Sequence, residues 1–212
     1  MDIKILELGP LATNAYVLLN RGFGEAFVVD APMGAVEALE PILEEAECML
    51  TGVLLTHGHW DHIAEAQVLK EKTGAQVYAH IGDRLWIEDP MMMAPFMPEG
   101  LIIKPIEVDT WLEGQSTCEL LGEAVEIREV PGHAPGSVLF YFSDYACAFV
   151  GDAIFAGSVG RYDLPGGDGE QLMQAITRQV YTLPEDTVLY PGHGPATTVE
   201  QEKKTNPFVR GA

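Results

Sequence analysis

Thr56-His57-Gly58-His59-Trp60-Asp61-His62 puts three imidazoles and a carboxylate into six consecutive positions, His57 to His62. Nitrogen and oxygen donors of this kind suit zinc and similar borderline cations, which they hold at about 2.0–2.2 Å. The stretch follows a strand-like apolar run, Leu50 to Thr56, and leads into a helix-like segment that reaches Lys72, with Gly74 as its stop. In a loop entering a helix, His57 and His59 can point one way while Asp61 and His62 point another. One short stretch can then serve two adjacent metals.

Two further motifs repeat the pattern: Pro131-Gly132-His133-Ala134-Pro135-Gly136 and Pro191-Gly192-His193-Gly194-Pro195. A lone histidine most often fills a structural role, but here five of the six histidines fall in three glycine-flanked motifs. That clustering marks a site. His80, the sixth, matches no motif and reads as structural.

The segments around these motifs place them on the chain. Strand-like runs are Ile3 to Leu8, Ala15 to Leu19, Ala26 to Asp30, Gln76 to Ala79, Val125 to Val130, Val138 to Phe142, Ala146 to Val150 and Thr187 to Tyr190. Gly34 to Glu47 has the apolar spacing of one helical face, with Pro41 as a potential kink. Further helices are expected at Gly169 to Tyr181 and Val199 to Thr205, whereas Asp89 to Glu99, rich in Met and Pro, has no clear period. His57, His133, Asp152 and His193 each follow a strand, and loops leaving one sheet edge can converge. Consecutive early and middle strands allow hairpins, so mixed sheets covered by helices are expected rather than a purely parallel sheet. One domain over 1–212 accounts for the length.

Composition narrows the function. The net charge is −20, with a pI near 4.4, which repels phosphate backbones and anionic lipid and leaves nucleic acid and membrane surfaces as poor partners. Cys48, Cys118 and Cys147 form no CxxC pair and read as reduced thiols. The start, Met1-Asp2-Ile3-Lys4, lacks the basic end and apolar block of a signal peptide. No apolar run approaches the ~20 residues of a membrane span. A soluble, cytoplasmic protein is expected.

The HxHxDH segment, the PGHxPG segment, Gly151-Asp152 after a strand and the late PGHG segment occur in that order along nearly all of the chain. Together they resemble the metallo-β-lactamase superfamily. The resemblance implies an α+β fold, a four-layer αβ/βα sandwich of two mixed sheets covered by helices, with a metal pair at one edge. By position it implies that His57, His59 and His133 hold the first metal, that Asp61, His62 and His193 hold the second, and that Asp152 bridges them. Two divalent ions are expected, zinc first, with iron or manganese as alternatives. Two cations about 3.5–4 Å apart can share a water and lower its pKa toward 7, giving a hydroxide that attacks a carbonyl. Asp61 would bind metal and orient that nucleophile.

Within the superfamily, the run Gly151-Asp152-Ala153-Ile154-Phe155 through Gly160-Arg161-Tyr162-Asp163 to Asp168, and the ending from His193 to Phe208, resemble compact bacterial glyoxalase II-like hydrolases that lack the C-terminal helical domain. These hydrolyse thioesters of hydroxy acids, chiefly S-lactoylglutathione, so a small-molecule thioester is the expected partner. Arg161 and Tyr162 are the substrate-binding candidates. The family's tyrosine two places after the arginine is Asp163 here, and Tyr162 stands one place early. The alternative from another reaction class is a persulfide dioxygenase with one iron on His57, His133 and Asp152. The PGHGP spelling at 191–195 resembles the hydrolase version. A lactonase is a lesser alternative, because carbonyl attack is the same chemistry. A β-lactamase proper usually lacks the bridging aspartate, which argues against that branch.

Overall fold

Three strands open the chain as an antiparallel meander: β1 (Asp2–Leu8), β2 (Thr13–Asn20) and β3 (Glu25–Val29). β2 is buried along nearly its whole length, as its unbroken apolar run requires of a strand covered on both faces. After β3 the chain changes habit. Helix α1 (Ala35–Ala46) returns it to β4 (Met49–Leu54), which pairs parallel to β3. The short helix α2 (Trp60–Ile63) and α3 (Ala66–Thr73) lead to β5 (Gln76–His80), parallel to β4. Helix α4 (Arg84–Glu88) and a 3-10 segment, Pro90–Phe96, precede β6 (Thr110–Leu112), parallel to β5. The result is a six-stranded mixed sheet in sequence order. Its core includes Val17, Leu19, Val28, Leu39, Val53, Leu55, Ile63, Leu69 and Val77, each worth roughly 1.5–3 kcal/mol when fully buried.

This computed structural model describes residues 1–114 and 117–210. The chain divides into two compact units, Met1–Glu113 and Gly114–Ala212; position 212, where the expected domain ends, lies outside the described residues.

The second unit repeats the mixed pattern with different connections. Its strands are β7 (Thr117–Leu120), β8 (Glu123–Glu129), β9 (Val138–Phe142) and β10 (Cys147–Gly151). A separate hairpin, β11 (Ile154–Phe155) with β12 (Ser158–Val159), follows. Then come helix α5 (Gly169–Ala175), β13 (Val188–Pro191), β14 (Thr197–Thr198) and helix α6 (Val199–Thr205). The sheet order is β14-β13-β10-β9-β8-β7, antiparallel except for the β10–β13 pair. Both units are α+β with mixed sheets, as the segment pattern and the resemblance implied.

Two local expectations need correction. The helix-like stretch from the histidine cluster to Lys72 is two helices, broken at Ala64 and Glu65. The break has a physical cause: Glu65 turns its carboxylate to the start of α1, where Gly34 and Val36 N–H donate to it at 2.9 and 2.7 Å. Those are donors a helix start leaves unpaired. The helix expected over Gly169 to Tyr181 is α-helical only to Ala175 and then widens into a π turn, with Tyr181 N–H donating to the Ile176 carbonyl at 2.9 Å. Asp89 to Glu99, without a readable period, contains the 3-10 segment, which buries Pro90 and Met93 and exposes Met91, Met92 and Phe96. Pro41 sits inside α1 without ending it, and Gly74 stops α3 as expected.

No helix among the described residues is long and apolar enough to cross a membrane.

Candidate metal centre

In the first unit, the donors leave the carboxyl ends of the parallel strands, the edge where open α/β sheets present their loops. Asp30 follows β3 in a left-handed backbone conformation (φ 61°), and Thr56-His57 follows β4. Asp30 is almost fully buried and ties the two strand ends together. Its Oδ1 accepts from Thr56 N–H at 2.8 Å, and its Oδ2 accepts from Thr56 Oγ1 at 2.8 Å. The same Oδ2 lies 2.7 Å from His62 Nδ1.

Tautomers follow from these contacts. An ionised carboxylate only accepts, so His62 carries its proton on Nδ1 and offers a lone pair at Nε2. The Thr56 hydroxyl spends its one hydrogen on Asp30. His57 Nδ1, 3.1 Å from Thr56 Oγ1, therefore donates to it and likewise frees Nε2. His59 stands at the N-terminal boundary of α2 with no side-chain capping bond. Asp61, in the first turn of α2, accepts from Thr13 Oγ1 at 3.0 Å.

In the second unit, β8, β10 and β13 run in the same direction, so His133, Asp152 and His193 leave the same sheet edge. β10 and β13 are direct neighbours, with Gly192 N–H donating to the Gly151 carbonyl at 2.8 Å. That register brings His193 Nε2 to 3.5 Å from Asp152 Oδ2. His133 Nε2 lies at the same 3.5 Å from the same oxygen, while its Nδ1 donates to the Arg161 carbonyl at 2.7 Å. A ligating histidine commonly shows this division of labour, one ring nitrogen anchored to an acceptor and the other aimed at the ion.

The separations test whether a metal fits. A charge-assisted hydrogen bond between imidazolium and carboxylate would close to about 2.7–2.9 Å. Two ligands on one cation with bonds of about 2.1 Å stand about 3.4 Å apart at the tetrahedral angle. The His133–Asp152 and His193–Asp152 pairs at 3.5 Å, and His62 Nε2–Asp61 Oδ2, also at 3.5 Å, match the second spacing. The donor set suits a divalent metal. His57, His59, Asp61 and His62 in the first unit and His133, Asp152 and His193 in the second all belong to groupings able to hold an ion.

Close packing behind His133 depends on Gly160. A Cβ there would lie 1.8 Å from the Asp152 carbonyl oxygen and 3.1 Å from His133 Nδ1.

The two sequence candidates for substrate, Arg161 and Tyr162, both reach the surface. Arg161 is exposed and pairs bidentately with Asp163, at 2.8 and 2.9 Å. That hydrogen bond raises the guanidinium pKa and lowers that of the carboxyl. Tyr162 is about half exposed, and its ring lies against Gly169, where a Cβ would meet it at 2.8 Å. His80 caps the turn after β5 by accepting from Gly82 N–H at 3.1 Å. Sequence reading passed over Thr13 and Asp30. Asp30 left a faint trace, a single carboxylate ending the apolar run Phe27-Val28-Val29; Thr13 left none.

The model of the metallo-beta-lactamase superfamily matches residues 8–193. The chain belongs to the metallo-β-lactamase superfamily. The probable metallo-hydrolase YqgX of Bacillus subtilis is 33% identical, with 100% of this chain and 99% of that protein covered. The hydroxyacylglutathione hydrolase GloC of Haemophilus influenzae is also 33% identical, with 99% and 98% covered. Among solved structures, the BLEG-1 B3 metallo-β-lactamase has a TM-score of 0.90 at 38% identity, covering 98% of this chain and 99% of that one. TTHA1623 in a di-iron-bound form has a TM-score of 0.86 at 35% identity, covering 97% and 100%. The chain is accordingly a member of a metallo-hydrolase superfamily, with His and Asp side chains grouped as a candidate metal site.

Proposed function

We propose that the chain is a binuclear metal-dependent thioesterase of the glyoxalase II type, acting on S-lactoylglutathione or a related hydroxyacyl thioester. In this reading His57, His59 and His133 hold one ion, and Asp61, His62 and His193 hold the other. Asp152 would bridge the two. The observation that carries it is the position of Asp152 Oδ2, equally 3.5 Å from His133 Nε2 and His193 Nε2. One carboxylate oxygen flanked by two imidazoles, of which His133 is anchored through Nδ1 to the Arg161 carbonyl, is the arrangement a bridging ligand needs. The similarity to GloC supports the thioester class. Zinc is the first choice of metal, and the likeness to a di-iron protein keeps iron in view.

When bound, a metal pair supplies a water of lowered pKa and a Lewis acid for the carbonyl oxygen. The chain's own residues do the rest. Asp61, held by the Thr13 hydroxyl, would bind metal and orient the attacking nucleophile. Asp30 fixes the His62 ring and, through Thr56, the His57 ring, so that neither imidazole must reorganise during turnover. Departure as a thiolate needs no general acid of high pKa, and no serine or cysteine nucleophile enters the scheme.

The likeness to BLEG-1 favours a second reading, β-lactam hydrolysis, which is carbonyl attack on a different acyl group. The test pairs elemental analysis with three assays: thiol release from S-lactoylglutathione, oxygen uptake on glutathione persulfide, and cleavage of a chromogenic β-lactam. Two metals per chain with thiol release and no oxygen uptake is the expected result. One iron with oxygen uptake would replace the proposal with a persulfide dioxygenase. β-Lactam cleavage without thiol release would establish the second reading. Two metals with none of these activities would leave a hydrolase whose substrates are sought among lactones and other thioesters.

A further inference from the structure

The turn His57-Gly58-His59 is gripped from the chain segment that follows β5. Asp83, 2% exposed, accepts from Gly58 N–H at 2.7 Å through Oδ2. The approach is so close that a Cβ on Gly58 would lie 2.8 Å from Asp83 Cβ. One helical turn on, the Trp86 ring faces His59, with centroids 5.3 Å apart and planes inclined at 33°. The segment that delivers both is fixed in its turn. Ile87 is fully buried and its carbonyl accepts from Ile106 N–H at 2.9 Å. Arg84 pairs with Glu88 and lies over the Trp111 ring, 5.8 Å from its centroid.

We infer that Asp83 and Trp86 are positioning residues for the metal that His57 and His59 share, a two-point clamp in which Asp83 sets the backbone of the turn and Trp86 sets the plane of the His59 ring. The inference rests on the binuclear ligand assignment above and is independent of the substrate. Its physical basis is preorganisation: partners behind the ligands fix ligand geometry, and their loss commonly costs 10–100-fold in metal affinity. The clamp touches the His57–His59 turn, whereas Asp61 and His62 have their own anchors in Thr13 and Asp30. Its loss therefore acts on one ion of the pair.

The test uses the full chain loaded with two equivalents of cobalt(II), titrated with a chelator and followed by bound metal and by the visible cobalt spectrum. Trp86→Ala is expected to release one equivalent at about tenfold lower chelator concentration, with the other retained as in the wild type. Trp86→Phe, which keeps an aromatic face, is expected to restore wild-type retention. Asp83→Ala is expected to weaken the same equivalent as Trp86→Ala. The thermal midpoint of each metal-free variant is measured alongside. Parallel loss of both equivalents, no loss of either, or failure of Trp86→Phe to restore retention overturns the clamp. If Asp83→Ala does not fold, the Trp86 pair decides. If the wild type holds only one equivalent, the binuclear reading fails, and the clamp is judged on retention of that single ion. Absence of thioesterase activity would sink the proposed function and leave this result standing.

Discussion

His62 and Asp30, 32 positions apart, meet at 2.7 Å between Nδ1 and Oδ2, with both side chains buried. The same carboxylate takes two hydrogen bonds from Thr56, so one aspartate that binds no metal in the proposed scheme governs the orientation of two histidines that do. Asp30→Asn keeps the size and tolerates the left-handed backbone, but replaces one accepting oxygen with a donor. A 10–100-fold loss of metal affinity is expected, with the far-ultraviolet circular dichroism unchanged. Chelator competition checks it, and wild-type affinity would remove Asp30 from the design of the centre.

Gly160→Ala is expected to be strongly destabilising, because the new Cβ would meet the Asp152 carbonyl oxygen at 1.8 Å, a backbone atom that cannot swing aside. The forced shift also reaches His133 and its bond to the Arg161 carbonyl. A loss of about 2 kcal/mol or more in urea unfolding is expected, with lowered metal content at equal protein concentration.

Glu65, which is not itself among the proposed ligands, offers a stability test. Its carboxylate accepts from Gly34 and Val36 N–H at the start of α1, where a negative charge also complements the helix dipole. Glu65→Ala is expected to cost about 1–2 kcal/mol in chemical denaturation, and Glu65→Gln less. A change below about 0.3 kcal/mol would mean that water replaces the carboxylate without penalty.

Burial pushes the Cys147 and Cys118 thiols up to about 11. Since the thiolate is the reactive form, both are expected to alkylate at pH 8 roughly two orders of magnitude more slowly in the folded chain than a free cysteine does. The sign for stability follows from linkage. The folded thiols hold their protons above pH 9 where the unfolded ones release them, so their contribution is intact below about 9 and is lost as pH rises toward about 11. Thiol titration with and without denaturant, and the alkaline limb of a stability profile for Cys147→Ala against the parent, measure the two effects.

Much of the site was readable as spelling. The ligand types, their spacing in three glycine-flanked motifs and their places after strands are local properties of the chain, and periodicity located α1, α6 and most long strands. Short elements escaped: α4, β6 and the β11–β12 hairpin are only two to five residues long, too short for a period to emerge. The Met-rich stretch escaped for a different reason. Its 3-10 turns bury Met93 while exposing Met91 and Met92, which follows neither the helical nor the strand template.

Sequence by itself determined which atoms are offered to metal and which family the chain resembles, because donor chemistry and motif spacing are written in consecutive residues. Tertiary structure alone decided how those donors are held. Asp30 reaches Thr56 and His62 across 26 and 32 positions, Asp83 reaches Gly58 across 25, and the Arg161 carbonyl reaches His133 across 28. It also decided that Glu65 interrupts a helix to cap another. Such partners are chosen by which strand ends the sheet sets side by side and by which buried polar groups would otherwise lose their hydrogen bonds, and no pattern of neighbouring residues encodes that choice.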